Sequence, residues 1–279
     1  MSAASPGSAG IMRSLLAPIT CLLDARQVVY YLTRKSIVLR YRGSALGIVW
    51  SFIVPALTLA IYTVVFGVVL RARWSTGESS TTQYALLLYL GLCVYWFVSE
   101  CVSEAPSLIA NHSNYVKKIV FPLDILPWVS VFDALFHSVI RLAVFVIVFS
   151  VLWGLPPWTI ILLPIVWLPV CLWTLGLCWI LAAAGVFLRD LREIISLMLI
   201  ALLFLSPIFY PIDRLPALAR NMVLLNPVAL PVMQTRDVAY YGVIPDPLVW
   251  LAVATASAVF AWGGHAIFSR SRGAFADVV

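Results

Sequence analysis

The sequence predicts an all-α integral membrane protein: six transmembrane helices, an N-terminal amphipathic interface helix, and a re-entrant segment between spans 5 and 6. Three observations carry this. Of 279 residues, 63% are hydrophobic and only 11% charged, against about 25% charged in a soluble domain. Mean hydropathy is +1.01, so the chain cannot cover a water-facing surface. Uncharged runs near the roughly 20 residues that cross a bilayer recur along its length.

Residues 1–23 read as a flexible tail. Within it, 15–23 is apolar but short, is interrupted by Pro18, and meets Asp24 and Arg26 directly, which argues against a cleaved leader. The rest, 24–279, forms a single transmembrane domain. The interface helix occupies 24–42, with Val28, Leu32 and Leu39 on one face and Tyr30 and Ile37 off it. Span 1 follows at 46–70, then a polar stretch, and span 2 at 84–103 with Glu100 near its end. Span 3, 125–153, carries Asp133, His137 and Arg141.

Residues 155–188 are uncharged and hold four prolines. As a straight helix this run is about 51 Å long, too long for one upright span and too short for two. One tilted, kinked span entered through Pro156 and Pro157 fits. Spans 5 and 6 are 194–212 and 247–268. Between them, 221–233 is apolar, broken by proline and too short to cross, which suggests the re-entrant segment.

Lysine and arginine set the orientation. With the N-terminus inside, twelve basic residues fall on the cytoplasmic side and five (Arg71, Arg73, Arg214, Arg220, Arg236) outside. Both termini are then cytoplasmic. The net charge of +6 flanks apolar runs, so its partners are membrane lipids and phosphate-bearing substrates, and nucleic acid is excluded. The five cysteines form no CxxC and the three histidines no ligand pair; no metal is expected.

Three stretches resemble a known family. Residues 40–52 (RYRGSALGIVWSF), with Pro55 and the run 61–67 (IYTVVFG), are similar to the start of permease subunits of ATP-binding-cassette polysaccharide exporters, which serve O-antigen, capsule and teichoic acid export. Residues 99–127, including NYVKKIVFPLDILP, resemble the loop joining spans 2 and 3 in the O-antigen members. FLRDL at 187–191, LSPIFYP at 205–211 and LNP at 225–227 continue the match. The resemblance implies an inner-membrane homodimer that moves lipid-linked polysaccharide, with two separate nucleotide-binding ATPase subunits. No cofactor is expected in this chain; ATP and Mg belong to the partner. The residues agree, because a P-loop needs GxxxxGK[ST] and none of Lys35, Lys117 and Lys118 follows a glycine. The alternative class is a membrane enzyme acting on lipid-linked sugars. It needs acid/base groups outside the bilayer, where Glu78, Asp213, Asp237 and Asp246 stand at no motif spacing.

The resemblance implies a coupling helix at about 107–119, with Ser107, Asn111, Asn114, Tyr115 and Lys117 facing the ATPase; an ordinary connecting loop made basic by topology is the other reading. It also implies a lateral gate at the interface helix, where Arg34, Lys35, Arg40 and Arg42 could hold the lipid pyrophosphate; simple anchoring to anionic lipid is the other reading. Tyr62, Phe66, Tyr89, Phe204, Phe209 and Tyr210, in the outer halves of their spans, offer ring faces to a passing glycan, or belong to an aromatic belt. Asp133, His137 and Arg141 share one helix face, as a path wall or as a packed Asp133–His137 pair. Arg141 is expected to reach the outer head groups, and Glu100, toward the inner end of span 2, is not expected to meet it.

Overall fold

A computed structural model describes residues 17–69, 74, 81–112, 121–188 and 190–275. The described residues form helices and turns, with no strand among them. Helix α1 (Ala17–Asp24) comes first, so the expected flexible tail gives way to helix from Ala17. Trp128 Nε1 donates to the Pro18 carbonyl at 3.1 Å and ties α1 to the bundle. Helix α2 (Arg26–Tyr41) follows. Its buried face is Ala25, Val29 and Leu32, whereas Val28 and Leu39 are exposed. The face expected from sequence is rotated, because an i, i+4, i+7 stripe starting at Ala25 serves the core better.

Helix α3 (Trp50–Tyr62) is entered through a 3-10 turn at Gly47–Val49 and continues as a π-turn at Thr63–Val69. Then come α4 (Thr81–Glu104), the short α5 (Leu108–Asn111) and α6 (Leu126–Trp153). Helix α7 (Leu163–Phe187) runs on from a 3-10 turn at Trp158–Leu162. Helices α8 (Leu191–Leu205), α9 (Ala217–Leu224), α10 (Ala229–Arg236) and α11 (Pro247–Ser271) complete the chain. Asp246 caps α11, its carboxylate accepting from the Leu248 amide at 2.8 Å.

Among the described residues, five helical segments are long and apolar enough to cross a membrane: Gly47–Phe66, Thr82–Asn111, Leu123–Trp153, Trp158–Phe187 and Pro247–Ala274. The proline-rich fourth stretch is one continuous segment. The expected span at 194–212 differs. Its helix ends at Leu205 after 15 residues, about 22 Å against a hydrocarbon core of about 30 Å. Pro207 is the cause: it disfavours α-geometry in the residue before it, and Ser206 is extended at ψ 147°. Between α8 and α11 the chain makes two short helices, and α10 packs against α4 and α7.

Helix α4 is the centre. Leu86, Leu87, Leu88, Tyr89 and Leu90 have no exposed surface, as expected of a helix apolar all round. It is flanked by α6, α7, α8 and α10. Helices α7 and α11 approach closely at two glycines: a Cβ on Gly264 would stand 2.3 Å from the Gly176 carbonyl oxygen. Helix α3 is the opposite case, leaving Phe52, Val54, Leu57 and Ile61 exposed.

Candidate functional site

The polar face of α6 joins α2, α4 and α6. Arg40, in the last turn of α2, donates to Asp133 Oδ2 at 2.7 Å. His137 Nδ1 lies 2.8 Å from the Asp133 carbonyl; since a carbonyl only accepts, that nitrogen carries the proton. Nε2 lies 2.7 Å from the Tyr41 hydroxyl, and in the tautomer protonated only at Nδ1 it accepts the hydroxyl proton. Asp133 and His137 therefore meet through backbone, and each side chain reaches across to α2.

The expectation for Arg141 is corrected. Its guanidinium pairs with the Glu100 carboxylate, lies over the Trp96 ring at 5.5 Å, and is largely buried. Side chains lean toward the N-terminus of their own helix. Because α4 and α6 run antiparallel, Glu100 leans toward one end of the bundle and Arg141 toward the other, and they converge. Counting rise between Cα positions alone misses this.

Of the four basic residues assigned to a gate, Arg40 is engaged by Asp133, while Arg34 and Arg42 are exposed. Lys35 lines a cleft of about 550 Å³ together with Leu32, Glu104, Asn111 and Asp133. Among the coupling residues, Ser107 is half-buried and Asn111 exposed; Asn114, Tyr115 and Lys117 lie outside the described residues. Both flanks of that stretch are fixed. On one side Pro106 abuts Gly185 of α7 so closely that a Cβ there would stand 2.0 Å from the Pro106 oxygen. On the other, Asp124 accepts from Arg272 Nη1 at 3.0 Å and Ser269 Oγ at 3.3 Å. Its carbonyl accepts from Trp179 Nε1 at 3.0 Å. The sequence reading missed this clamp. Its signal was Asp124 itself, the lone acid between Glu104 and Asp133.

At the opposite end four of the six aromatic candidates form a chain of rings. Tyr62 and Phe66 are 5.9 Å apart, Phe66 and Phe209 5.9 Å, and Phe209 and Phe204 stack at 5.6 Å. Tyr84 supports it, its hydroxyl donating to the Phe209 carbonyl at 2.7 Å. Phe204 is 62% exposed. Tyr210 stands alongside, its hydroxyl donating to the Phe204 carbonyl at 3.1 Å. Tyr89 is set apart: it is fully buried in the bundle and donates to the Arg141 carbonyl at 3.1 Å.

Beneath these rings lies Arg236, read from sequence only as an outside charge. It is buried, and its guanidinium donates to the carbonyls of Leu87, Pro207 and Ile208 at 2.7, 2.6 and 2.9 Å. Trp74 covers it at 4.3 Å. One side chain thus fastens α4, α10 and the break after α8.

Known transport proteins are similar to this chain along most of its length. The family described as ABC-2 type transporter matches residues 27–240. The O-antigen export system permease protein RfbA of Myxococcus xanthus is 30% identical over 260 residues, 92% of this chain and 97% of that one. A protein of the same description from Klebsiella pneumoniae is 28% identical over 254 residues, covering 89% and 93%. The polysialic acid transport protein KpsM of Escherichia coli is 22% identical over 228 residues, covering 79% and 85%.

Proposed function

The chain belongs to the ABC-2 type transporter family, and from that premise we infer that it is the membrane permease of an ATP-driven exporter of lipid-linked polysaccharide, of O-antigen type. The observation that carries the substrate class is the chain of rings from Tyr62 through Phe66 and Phe209 to Phe204. Flat apolar faces in series suit the C–H faces of successive sugars and ask for no chemistry on them.

In this reading two copies form the working unit, and the path runs between them. The exposed apolar surface of α3, with that of α8 (Leu197, Met198, Phe204), supports a second copy there. Six spans follow if the Leu191–Leu205 helix and the turns after it cross together, with α9 and α10 as the re-entrant piece. Both termini are then cytoplasmic and the membrane is the inner one. Helix α2 lies at the cytoplasmic interface as part of a lateral gate. There Arg34, Lys35 and Arg42 meet the lipid phosphates, and Arg40 positions the helix through Asp133.

ATP and Mg bind two separate subunits, and the stretch about 107–119 receives their motion, with Ser107, Asn111, Asn114, Tyr115 and Lys117 at the contact. The Pro106–Gly185 and Asp124–Arg272 contacts support this, since they hand displacement of that stretch to α7 and α11. Deleting the gene in its host tests the function. Lipid-linked polysaccharide should accumulate inside the cell and vanish from its surface, with recovery on complementation. A normal surface in the deletion strain would end this reading.

A further inference from the structure

From Phe209 in the chain of rings, the backbone runs through Tyr210 to Pro211, in the wall of a cleft of about 460 Å³. Its lining includes Trp74, Pro211, Asp213, Arg214, Asp237 and Tyr241. That volume falls in the roughly 300–1,000 Å³ range of small-ligand sites. The cleft is built rather than incidental. Its floor is the buried Arg236 guanidinium, which three backbone carbonyls and the Trp74 ring already engage. Asp237 and Tyr241 stand on one π-helical turn, Asp237–Tyr241. The turn closes where Gly242 adopts φ 72° and the Val243 amide donates to the Asp237 carbonyl at 2.9 Å.

Among the described residues, the free chemistry of the cleft is balanced. Arg236 is spent on the backbone, and Asp213 is loosely paired with Arg220 at 3.9 Å. Neither Arg214 nor Asp237 makes a side-chain hydrogen bond or ion pair among the described residues. One guanidinium, one carboxylate and an exposed tyrosine ring (Tyr241, 46% exposed) remain. An anion site would show an excess of cations, and a hydrocarbon site would lack both. A planar donor, a planar acceptor and a ring face together match adjacent hydroxyls on a sugar, one edge hydrogen-bonded and one face stacked.

We propose that this cleft is a sugar-binding subsite on the exit side of the path. Asp237 accepts from two neighbouring hydroxyls, Arg214 donates to a hydroxyl or ring oxygen, and Tyr241 stacks on the ring. The site holds the polysaccharide segment that has left the Tyr62–Phe204 rings and disfavours its return. The proposal rests on the exporter reading above.

The test uses the purified full chain in lipid nanodiscs. The probe is the surface polysaccharide of the host cells, freed from lipid by mild acid, cut to short oligosaccharides and tritium-labelled, with binding read by equilibrium dialysis. Saturable binding is expected, unaffected by millimolar inorganic phosphate. Asp237→Asn and Arg214→Gln should each weaken it about tenfold, the size of one lost hydrogen bond to a charged group. Tyr241→Phe should keep binding and Tyr241→Leu weaken it, all four variants remaining monodisperse. No binding by the native chain, equal binding by the polar variants, or competition by phosphate overturns the subsite. The deletion strain separates this from the exporter reading. Loss of surface polysaccharide on deletion, with normal export by the cleft variants, removes the subsite alone; a normal surface on deletion removes the exporter reading as well.

Discussion

Removing either member of the Glu100–Arg141 pair should cost more than removing both. The Arg141 side chain is 11% exposed and that of Glu100 27%, so neither charge is well hydrated once its partner is gone. Two unit charges about 4 Å apart attract by about 4 kcal/mol at an effective dielectric near 20. Truncating one member of a buried pair typically costs about 3–5 kcal/mol, because the other charge is stranded. Arg141→Met keeps apolar bulk but strands Glu100 and removes the contact with Trp96; about 3 kcal/mol is expected. Glu100→Leu strands the more deeply buried Arg141, so about 3 kcal/mol is expected there too. The double variant Glu100→Leu with Arg141→Met strands nothing and should fall within about 1 kcal/mol of the native protein. Unfolding free energy in mixed SDS and dodecyl maltoside micelles, read by tryptophan fluorescence, measures the cycle. Single and double losses that simply add would refute the pairing, as would single losses below about 0.5 kcal/mol.

Three further outcomes are expected. Tyr62→Leu with Phe66→Leu removes about 1 kcal/mol of ring contact and should slow export about fivefold, measured as surface polysaccharide per assembled complex, with insertion unchanged. Gly264→Leu drives a side chain into the Gly176 backbone and should cost about 1–3 kcal/mol of packing, seen as a lowered thermal midpoint; Gly263→Ala, whose Cβ meets nothing within 4 Å, serves as the neutral control. Thr235→Val takes the acceptor from the Trp167 Nε1–H, which it meets at 3.1 Å, and strands a buried donor at about 1–3 kcal/mol; detergent stability should fall, and Trp167→Phe in the same chain should restore part of it.

What the sequence disclosed, and what it hid, follows from the range of each interaction. Helical class and the five long segments were legible because hydropathy and length are local sums, and lipid leaves the backbone no other choice. The single span through 158–187 was legible from its length. The end of α8 was hidden behind an apolar composition that runs past Leu205, although Ser206-Pro207 marks it. The grouping of Tyr62, Phe66, Phe204 and Phe209 could be read from depth in the membrane, since each falls near the same end of its span. Tyr89 shares that depth but faces inward, and facing depends on which helices surround α4. Glu100–Arg141, Asp124–Arg272 and the three carbonyls on Arg236 join residues 41, 148 and 28–149 positions apart. No local pattern encodes such pairs.

A second set of long-range contacts falls at the two ends of α7. At one end Gly185 meets Pro106 and Trp179 holds the Asp124 carbonyl. At the other, Trp167 donates to Thr235, and Thr159, just ahead of the helix, donates to the Val238 carbonyl at 2.6 Å. The segment Trp158–Phe187 spans about 45 Å at 1.5 Å per residue. It therefore touches the flanks of the proposed coupling stretch and, across the bundle, the segment that carries Arg236 and Asp237. Its close packing on α11 at Gly176 and Gly264 stiffens it, because interiors packed this tightly shift as units rather than deform. A displacement received beside Pro106 and Asp124 would reach α10 as a shift of the whole α7–α11 pair, with no relay of side-chain rearrangements in between. The Pro106 and Asp124 contacts at one end and the Thr235 and Val238 contacts at the other are what such rigid transmission requires: firm attachment at both ends of the rod.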